Sequence, residues 1–243
     1  QWGSESIQSK YLTSLAEDSE IQASFAVQEA TAAFNPFKLK TQAREHQGQY
    51  ILSGEKTLVI LGESADVLLV SADLNGQPDI FIVTRDNSIT VKKTAAMGLK
   101  ATETVTLHFN QTPAERLGDE DFNYTEFLDL GNLMWCAMAV GTCEAVKKYC
   151  IQYANERTAF GEPISHRQSV AFMIADMAIE IDAMRLLVLS ATSLAESGQS
   201  FHREAYLARL LCAEKSMQIG TNGVQILGGH GFTKEHPVER WYR

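Results

Sequence analysis

Met173/Ile174, Met177, Ile181, Met184, Leu187/Val188, Ala191 and Leu194 step along the chain by three and four residues. Apolar residues at that spacing share one face of an α-helix, and the face has to be buried against something. Helical runs lie on both sides of it. One begins near Leu128 and closes at Arg157. Another runs over 204–226, with Leu207, Leu210, Leu211, Met217 and Val224 apolar. Ser197-Gly198 ends the middle run. Three long helices with short connections predict an antiparallel bundle, with the methionines in its core.

Two stretches stand where helical patterns stop. The first is Glu156-Arg157-Thr158-Ala159-Phe160-Gly161-Glu162-Pro163-Ile164, in which Phe160-Gly161 and Pro163 break the helix. Arginine's rigid fork makes paired hydrogen bonds to a phosphate, so an arginine entering such a turn suits a planar anionic ligand. The second is Gln225-Ile226-Leu227-Gly228-Gly229-His230-Gly231-Phe232, with three glycines in four residues. Glycine lets the backbone approach a bulky ligand and adopt positive φ. Ordinary helix C-caps and a salt-bridged arginine account for either stretch alone. The two together point to a ligand.

The N-terminal half reads differently. Residues 4–15 predict a short amphipathic helix. Short β-rich runs follow at 23–27, 49–52, 57–61, 66–70, 80–84, 89–92 and 105–109. Turn signals fall between them at Ser53-Gly54, Asn75-Gly76 and Asp86-Asn87. Strands this short and evenly spaced predict a β-barrel or sandwich, so the fold class is α+β.

Composition excludes several functions. A net charge of −9 argues against nucleic acid or an anionic membrane surface as a partner. No apolar run reaches membrane-spanning length. No signal peptide is visible, and because the chain begins at Gln1 a preceding N-terminal segment is expected. Cys136, Cys143 and Cys150 recur every seven residues on one helix, a spacing that suits neither a metal site nor a disulfide. With Cys212 they are expected to be small buried residues in a reducing compartment, and no metal is expected.

Arg157-Thr158-Ala159-Phe160-Gly161, Gln168, the Gln225-to-Phe232 segment and Val238-Glu239-Arg240 resemble the C-terminal half of the acyl-CoA dehydrogenases. A weaker resemblance covers residues 1–118. It is carried by Tyr50-Ile51-Leu52-Ser53-Gly54-Glu55-Lys56, Ser64-Ala65-Asp66 and Met97-Gly98-Leu99-Lys100. It implies the end of an N-terminal helical domain at 1–18, a middle β-domain at 19–118 and a helical domain at 119–243. It also implies FAD contacts at Arg157, Ala159, Phe160, Ile164, Gln168, Gln225, Ile226, Leu227, Gly228 and Gly229, partly across a dimer interface. Leu58 and Ile60 stand where the family covers the flavin ring, and Phe34, Asp129 and Asn132 where it meets substrate. Arg167 stands where histidine is frequent. His166 and His230 are expected at the surface, as caps or at the flavin edge, Lys147-Lys148 on a solvated helix face, and Glu235 and Glu239 on a solvated face or in interface ion pairs. Lys100 is expected to be structural.

The implied reaction is α,β-dehydrogenation of an acyl-CoA thioester. A glutamate removes the α-proton and the β-hydrogen leaves as hydride to flavin N5. Departures from the family pattern are visible. Its flavin-lining Thr-Glu-Pro-x-x-Gly-Ser-Asp is Gln28-Glu29-Ala30-Thr31-Ala32-Ala33-Phe34-Asn35 here, keeping only Glu29. Its Trp-Ile-Thr is Leu58-Val59-Ile60, which has neither an indole face nor a hydroxyl. Asn132 replaces a common arginine, and Gly131 occupies one of the family's two glutamate positions. No catalytic residue is assigned. The glutamate is expected in a segment beyond Arg243. The alternatives are a divergent member that binds FAD or acyl-CoA without turnover, and a structural or assembly subunit. The resemblance further implies an electron-transferring flavoprotein as electron acceptor and a homodimer or homotetramer. The expected location is cytoplasmic, or the mitochondrial matrix in a eukaryote.

Overall fold

Val67-Leu68-Leu69-Val70 and Ile80-Phe81-Ile82-Val83 are runs of β-branched and aromatic residues, the side chains that fit a pleated sheet buried on one or both faces. In the computed structural model, which describes residues 2–17, 21–46, 48–96, 98, 100–118 and 122–243, they lie in two adjacent strands. Contacts divide the chain into two units, Gln1–Tyr124 and Thr125–Arg243.

In the first unit a helix, α1 (Glu5–Glu17), precedes seven strands. They are β1 (Ala23–Ala26), β2 (Gln42–His46), β3 (Gln49–Val59), β4 (Val67–Leu74), β5 (Gln77–Thr84), β6 (Ile89–Lys93) and β7 (Val105–Arg116). β4, β2, β3, β7 and β5 pair in that order, and β5 returns to β4, closing a barrel. β1 adds to β4 in parallel and β6 to β7 antiparallel. Leu52, Leu68, Val70, Phe81, Val83 and Leu107 fill the core. Asn75 (φ 55°) and Gly76 (φ 87°) make the two-residue β4–β5 turn, both central residues left-handed as that hairpin demands.

Three strand expectations need correction. The runs at 49–52 and 57–61 are one strand, β3. Ser53-Gly54 is not a turn but a register shift between β3 and β7. Gly54 sits there at φ 147°, where an added Cβ would lie 2.6 Å from Thr41 Cα. β2 was not expected at all, because Gln42-Ala43-Arg44-Glu45-His46 has one buried residue and no apolar alternation. β7 runs on to Arg116, well past Phe109. The helix α1 has no buried residue and is held instead by Lys10 Nζ, 2.7 Å from Glu115 Oε2. Met97 and Leu99 lie outside the described residues, as does the side chain of Lys100.

The second unit is built on α2 (Tyr124–Glu156), α3 (Gln168–Glu196) and α4 (His202–Leu227), followed by a short α5 (Val238–Tyr242). Glu180 of α3 pairs with Lys215 of α4 at 3.1 Å across an antiparallel packing that the short 197–201 connection dictates. α2 and α4 run parallel. Asp129 meets His202 near their starts, Cys136 meets Cys212, and Tyr153 meets Leu227 near their ends. Met177, Ile181, Met184, Val188 and Ala191, all from the stripe on α3, are its buried residues. The Arg157 stretch forms a miniature hairpin, Thr158–Ala159 against Glu162–Pro163, turning on Phe160 (φ 56°) and Gly161 (φ 86°).

All four cysteines are free and buried between the helices. Burial pushes the Cys143 and Cys150 thiols up to about 12. The Cys136 thiol is raised by its hydrogen bond with Cys212 and then by burial. The thiolate is the reactive form. The bond with Cys136 lowers the Cys212 thiol, but all four are buried, so in the native protein a thiol reagent at neutral pH should titrate none of the four promptly, and all four after addition of guanidinium. Prompt reaction of even one native thiol would contradict this packing.

Candidate functional site

At the closing end of the bundle, α2 delivers Tyr149, Tyr153 and Glu156, Arg157 follows directly, and the turn after α4 delivers His230. With His236 they line a cavity of about 300 Å³. The Tyr153 hydroxyl lies 2.9 Å from His230 Nδ1, and the Tyr149 hydroxyl 2.7 Å from His236 Nδ1. The two imidazoles stack with centroids 5.0 Å apart and planes 13° apart. His230 is thus exposed, as expected, but it is also half of a stacked pair that nothing in the sequence announced. His166 is exposed beside Glu162. Arg167 pairs with Glu162 at 3.0 Å and lies over the Phe160 ring.

Arg157 is exposed, and among the described residues it makes no ion pair. Gly228 caps α4 at φ 57° and ψ −129°, a conformation open to glycine. A Cβ added at Gly228 or Gly229 would meet nothing within 4 Å, so this backbone is open to a ligand. Gln225 is exposed at the same end, and Gln168 is exposed at the start of α3. Phe160 is 95% exposed, while Ala159 and Ile164 are half-buried. Ile226 and Leu227 differ from the rest of the segment. Their side chains are buried in the bundle core, because the helix is still turning through them, and only their backbone remains to meet a ligand.

The opposite end of the bundle holds Asp129, Gly131 and Asn132. Gly131 is exposed with open space where a side chain would be, and Asn132 is half-buried. Asp129 is buried, and His202 Nδ1 donates to its Oδ2 at 2.8 Å. Its carboxylate is taken up by an imidazole, and the imidazole is what faces solvent. Burial raises the Asp129 carboxyl above its usual range, against the opposing pull of His202. His202→Ala, which leaves that carboxylate without its partner, should cost about 1–3 kcal/mol by chemical denaturation. A loss inside experimental error would show the pair to be idle.

In the first unit, Leu58 and Ile60 are each 47% exposed while Val59 between them is buried. Leu58 has φ 53° and Leu61 φ 51°, so the chain leaves β3 through a kinked ledge with two aliphatic side chains outward. Phe34 is half-buried in a loop with no regular structure.

Beneath these segments lies a buried ion pair that sequence reasoning missed. Lys56 Nζ is 2.8 Å from Glu29 Oε1, and both side chains are almost wholly out of solvent. Lys56 also donates to Ser71 Oγ at 3.0 Å and to the Val27 carbonyl at 3.2 Å. Glu29 accepts from the backbone N–H of Lys40 at 2.8 Å and of Thr41 at 2.9 Å. Burial alone would raise the Glu29 carboxyl; the Lys56 ammonium and the two amides outweigh it and hold the group below the usual range. Burial lowers Lys56 to about 8, with Glu29 pulling the other way. The signal was present in the strand's alternation, which puts Lys56 on the inward side with Leu52.

Among the described residues, no group of three or more His, Cys, Asp or Glu is placed to hold a metal, and no helix is long and apolar enough to cross a membrane.

Residues 24–112 match the family model "Acyl-CoA dehydrogenase, middle domain" and residues 123–243 match "Acyl-CoA dehydrogenase, C-terminal domain". The chain belongs to the acyl-CoA dehydrogenase family. An acyl-CoA dehydrogenase of Bacillus subtilis is 32% identical over 100% of this chain and 67% of its own length. A caffeyl-CoA reductase–Etf complex subunit of Acetobacterium woodii is 32% identical over 90% of this chain and 61% of its own. The structure of butyryl-CoA dehydrogenase from Megasphaera elsdenii superposes with a TM-score of 0.87 at 30% identity, covering 100% of this chain and 67% of that one. The chain thus spans roughly two thirds of the length of the curated relatives it matches. The family implies a flavin. The residues of the bundle end fit one: Arg157 is exposed, makes no ion pair among the described residues and lines one cavity with His230, and a Cβ added at Gly228 or Gly229 in the same turn as His230 would meet nothing within 4 Å.

Proposed function

We propose that this chain carries the cofactor and substrate segments of an FAD-dependent acyl-CoA dehydrogenase. The observation that supports this most is the exposed Arg157, without an ion pair among the described residues, lining one cavity with His230 of the glycine turn. FAD, when bound, supplies the acceptor for the β-hydrogen of the thioester. The chain's own residues bind and orient. Arg157 takes the pyrophosphate through paired charge-assisted hydrogen bonds. Gln168, Gln225, Gly228 and Gly229 supply polar and backbone contacts, and Ala159, Phe160 and Ile164 an apolar border. Leu58 and Ile60 give the flavin ring an aliphatic ledge, which excludes water without donating a hydrogen bond. Phe34 and Asn132 are assigned to the substrate, with His202 standing in front of Asp129.

The domain limits proposed are 1–18, 19–118 and 119–243. If Arg157 and the glycine turn serve a neighbouring copy's FAD, a homodimer or homotetramer follows. An electron-transferring flavoprotein is the proposed electron acceptor, in keeping with the Etf complex named for the A. woodii relative. The proposed location is cytoplasmic, or the mitochondrial matrix in a eukaryote.

The test is to incubate the FAD-loaded full-length protein with a set of acyl-CoA thioesters and a dye acceptor, then weigh the thioesters by mass spectrometry. Loss of two hydrogens from one of them is the expected result. A second reading, a member that binds FAD or acyl-CoA without turnover, is favoured by Phe34, by the aliphatic Leu58–Ile60 ledge and by Asn132 in place of an arginine. It predicts bound flavin and unchanged thioesters.

A further inference from the structure

We propose that Glu29 and Lys56 are positioning residues for the cofactor: their buried pair fixes the loop 28–35 to the kinked ledge 58–60. The inference rests on the dehydrogenase reading, which assigns those two segments to flavin and substrate.

Neither segment can hold its own shape. Residues 28–35 form no helix or strand. Residues 58–60 lie at a register shift between Lys56 and Val59, where β3 loosens from β7 and only Val59 pairs again, with Val105. The remaining hold is between the two segments. Thr57 N donates to the Gln28 carbonyl at 2.8 Å, immediately beside the ion pair. Lys56 reaches Val27, Glu29 and Ser71, which accounts for all three ammonium protons. Ser71 Oγ donates in turn to the Val27 carbonyl at 3.1 Å. Both carboxylate oxygens of Glu29 are engaged by the chain at Lys40 and Thr41, which lead into β2. Ser24 Oγ ties the far side of the ledge by donating to the Ile60 carbonyl.

A buried ion pair is a poor way to gain stability, since apolar residues of similar volume often serve as well or better. Its strength is directional. A charge with every donor and acceptor assigned tolerates one arrangement of the backbone around it, whereas an apolar plug tolerates several. Here the backbone so constrained carries Phe34 on one side and Leu58 and Ile60 on the other. A site whose supporting shell is loosened keeps its residues and loses its affinity.

The test separates positioning from stability. Lys56→Met alone strands a buried carboxylate and is expected to unfold easily. The double variant Glu29→Gln/Lys56→Met removes both charges together. The amide keeps one of the two acceptors that the Lys40 and Thr41 N–H groups use, so the apoprotein should lose less stability than with Lys56→Met alone, yet FAD binding, read by quenching of flavin fluorescence, should weaken about tenfold or more. The absorption band of the flavin it still binds should also shift relative to wild type. Ser71→Ala carries the test if the double variant does not fold. It removes one hydroxyl, one of the three holds on Lys56 and the second hold on Val27, and should weaken FAD about threefold. Wild-type affinity and an unshifted band in a stably folded double variant overturn the inference, as does unchanged affinity in Ser71→Ala. A wild type that takes up no FAD sinks the dehydrogenase reading and this inference with it. A wild type that binds FAD no better than its variants sinks only the inference.

Discussion

Arg157→Met is expected to weaken FAD binding by about 10- to 100-fold while leaving the fold untouched. A hydrogen bond to a charged group contributes about 1.5–3 kcal/mol, and each 1.4 kcal/mol is a factor of ten. Met keeps the length of the side chain and discards the charge and the fork. The fold should not notice. Arg157 is exposed and makes no ion pair among the described residues, and surface changes of this kind stay within about 0.5 kcal/mol. Arg157→Lys should fall between the two, because it retains a cation without the planar pair of donors. Isothermal titration of FAD into the apoprotein, with thermal unfolding alongside, reads both quantities. Equal affinity in wild type and Arg157→Met would remove the pyrophosphate role. A large drop in the unfolding midpoint would mean that the arginine supports the hairpin at Thr158–Ala159 instead.

Gly231→Ala is expected to cost about 3 kcal/mol, at the upper end of overpacking effects. Gly231 is buried in the turn that follows α4. An added Cβ would meet the Val224 carbonyl oxygen and lie 2.9 Å from Val224 Cα. Both are backbone atoms of a helix, so nothing flexible can yield. The turn would have to move away from α4 and carry His230 with it, breaking the contact with Tyr153 and opening the cavity beside Arg157. Stability and FAD affinity should therefore fall together, in contrast to Arg157→Met. Urea denaturation measures the first. A loss below about 1 kcal/mol would show that the turn has room the geometry denies.

What the sequence disclosed follows from the range of the interactions involved. Helices declare themselves locally. Met177, Ile181, Met184, Val188 and Ala191 could be read as a buried stripe because a helix repeats its inward face every three or four residues. The cysteines on α2 were legible for the same reason. β2 was not, because its place in the barrel comes from pairing with β3 and β4 and not from its own residues. Ser53-Gly54 carries a turn signature, yet the glycine is needed for a close approach to Thr41 inside a continuous strand. Motif residues fared unevenly. Gln225, Gly228 and Gly229 reach the surface, whereas Ile226 and Leu227 belong to the same signature and spend their side chains on the core. Asp129 looked available and is occupied by His202, across more than seventy residues of sequence. The Glu29–Lys56 pair was the least legible feature. A lysine on a strand reads as a surface residue until the fold brings its carboxylate to it.

The proposed function requires a flavin held by the bundle end and reduced by a thioester. The most direct measurement is the absorption spectrum of the purified full-length protein after reconstitution with FAD and removal of the excess, recorded anaerobically before and after acyl-CoA is added. The prediction is an oxidised-flavin band that stays with the protein and bleaches with at least one acyl-CoA. A protein that retains no flavin band would contradict the account at its base.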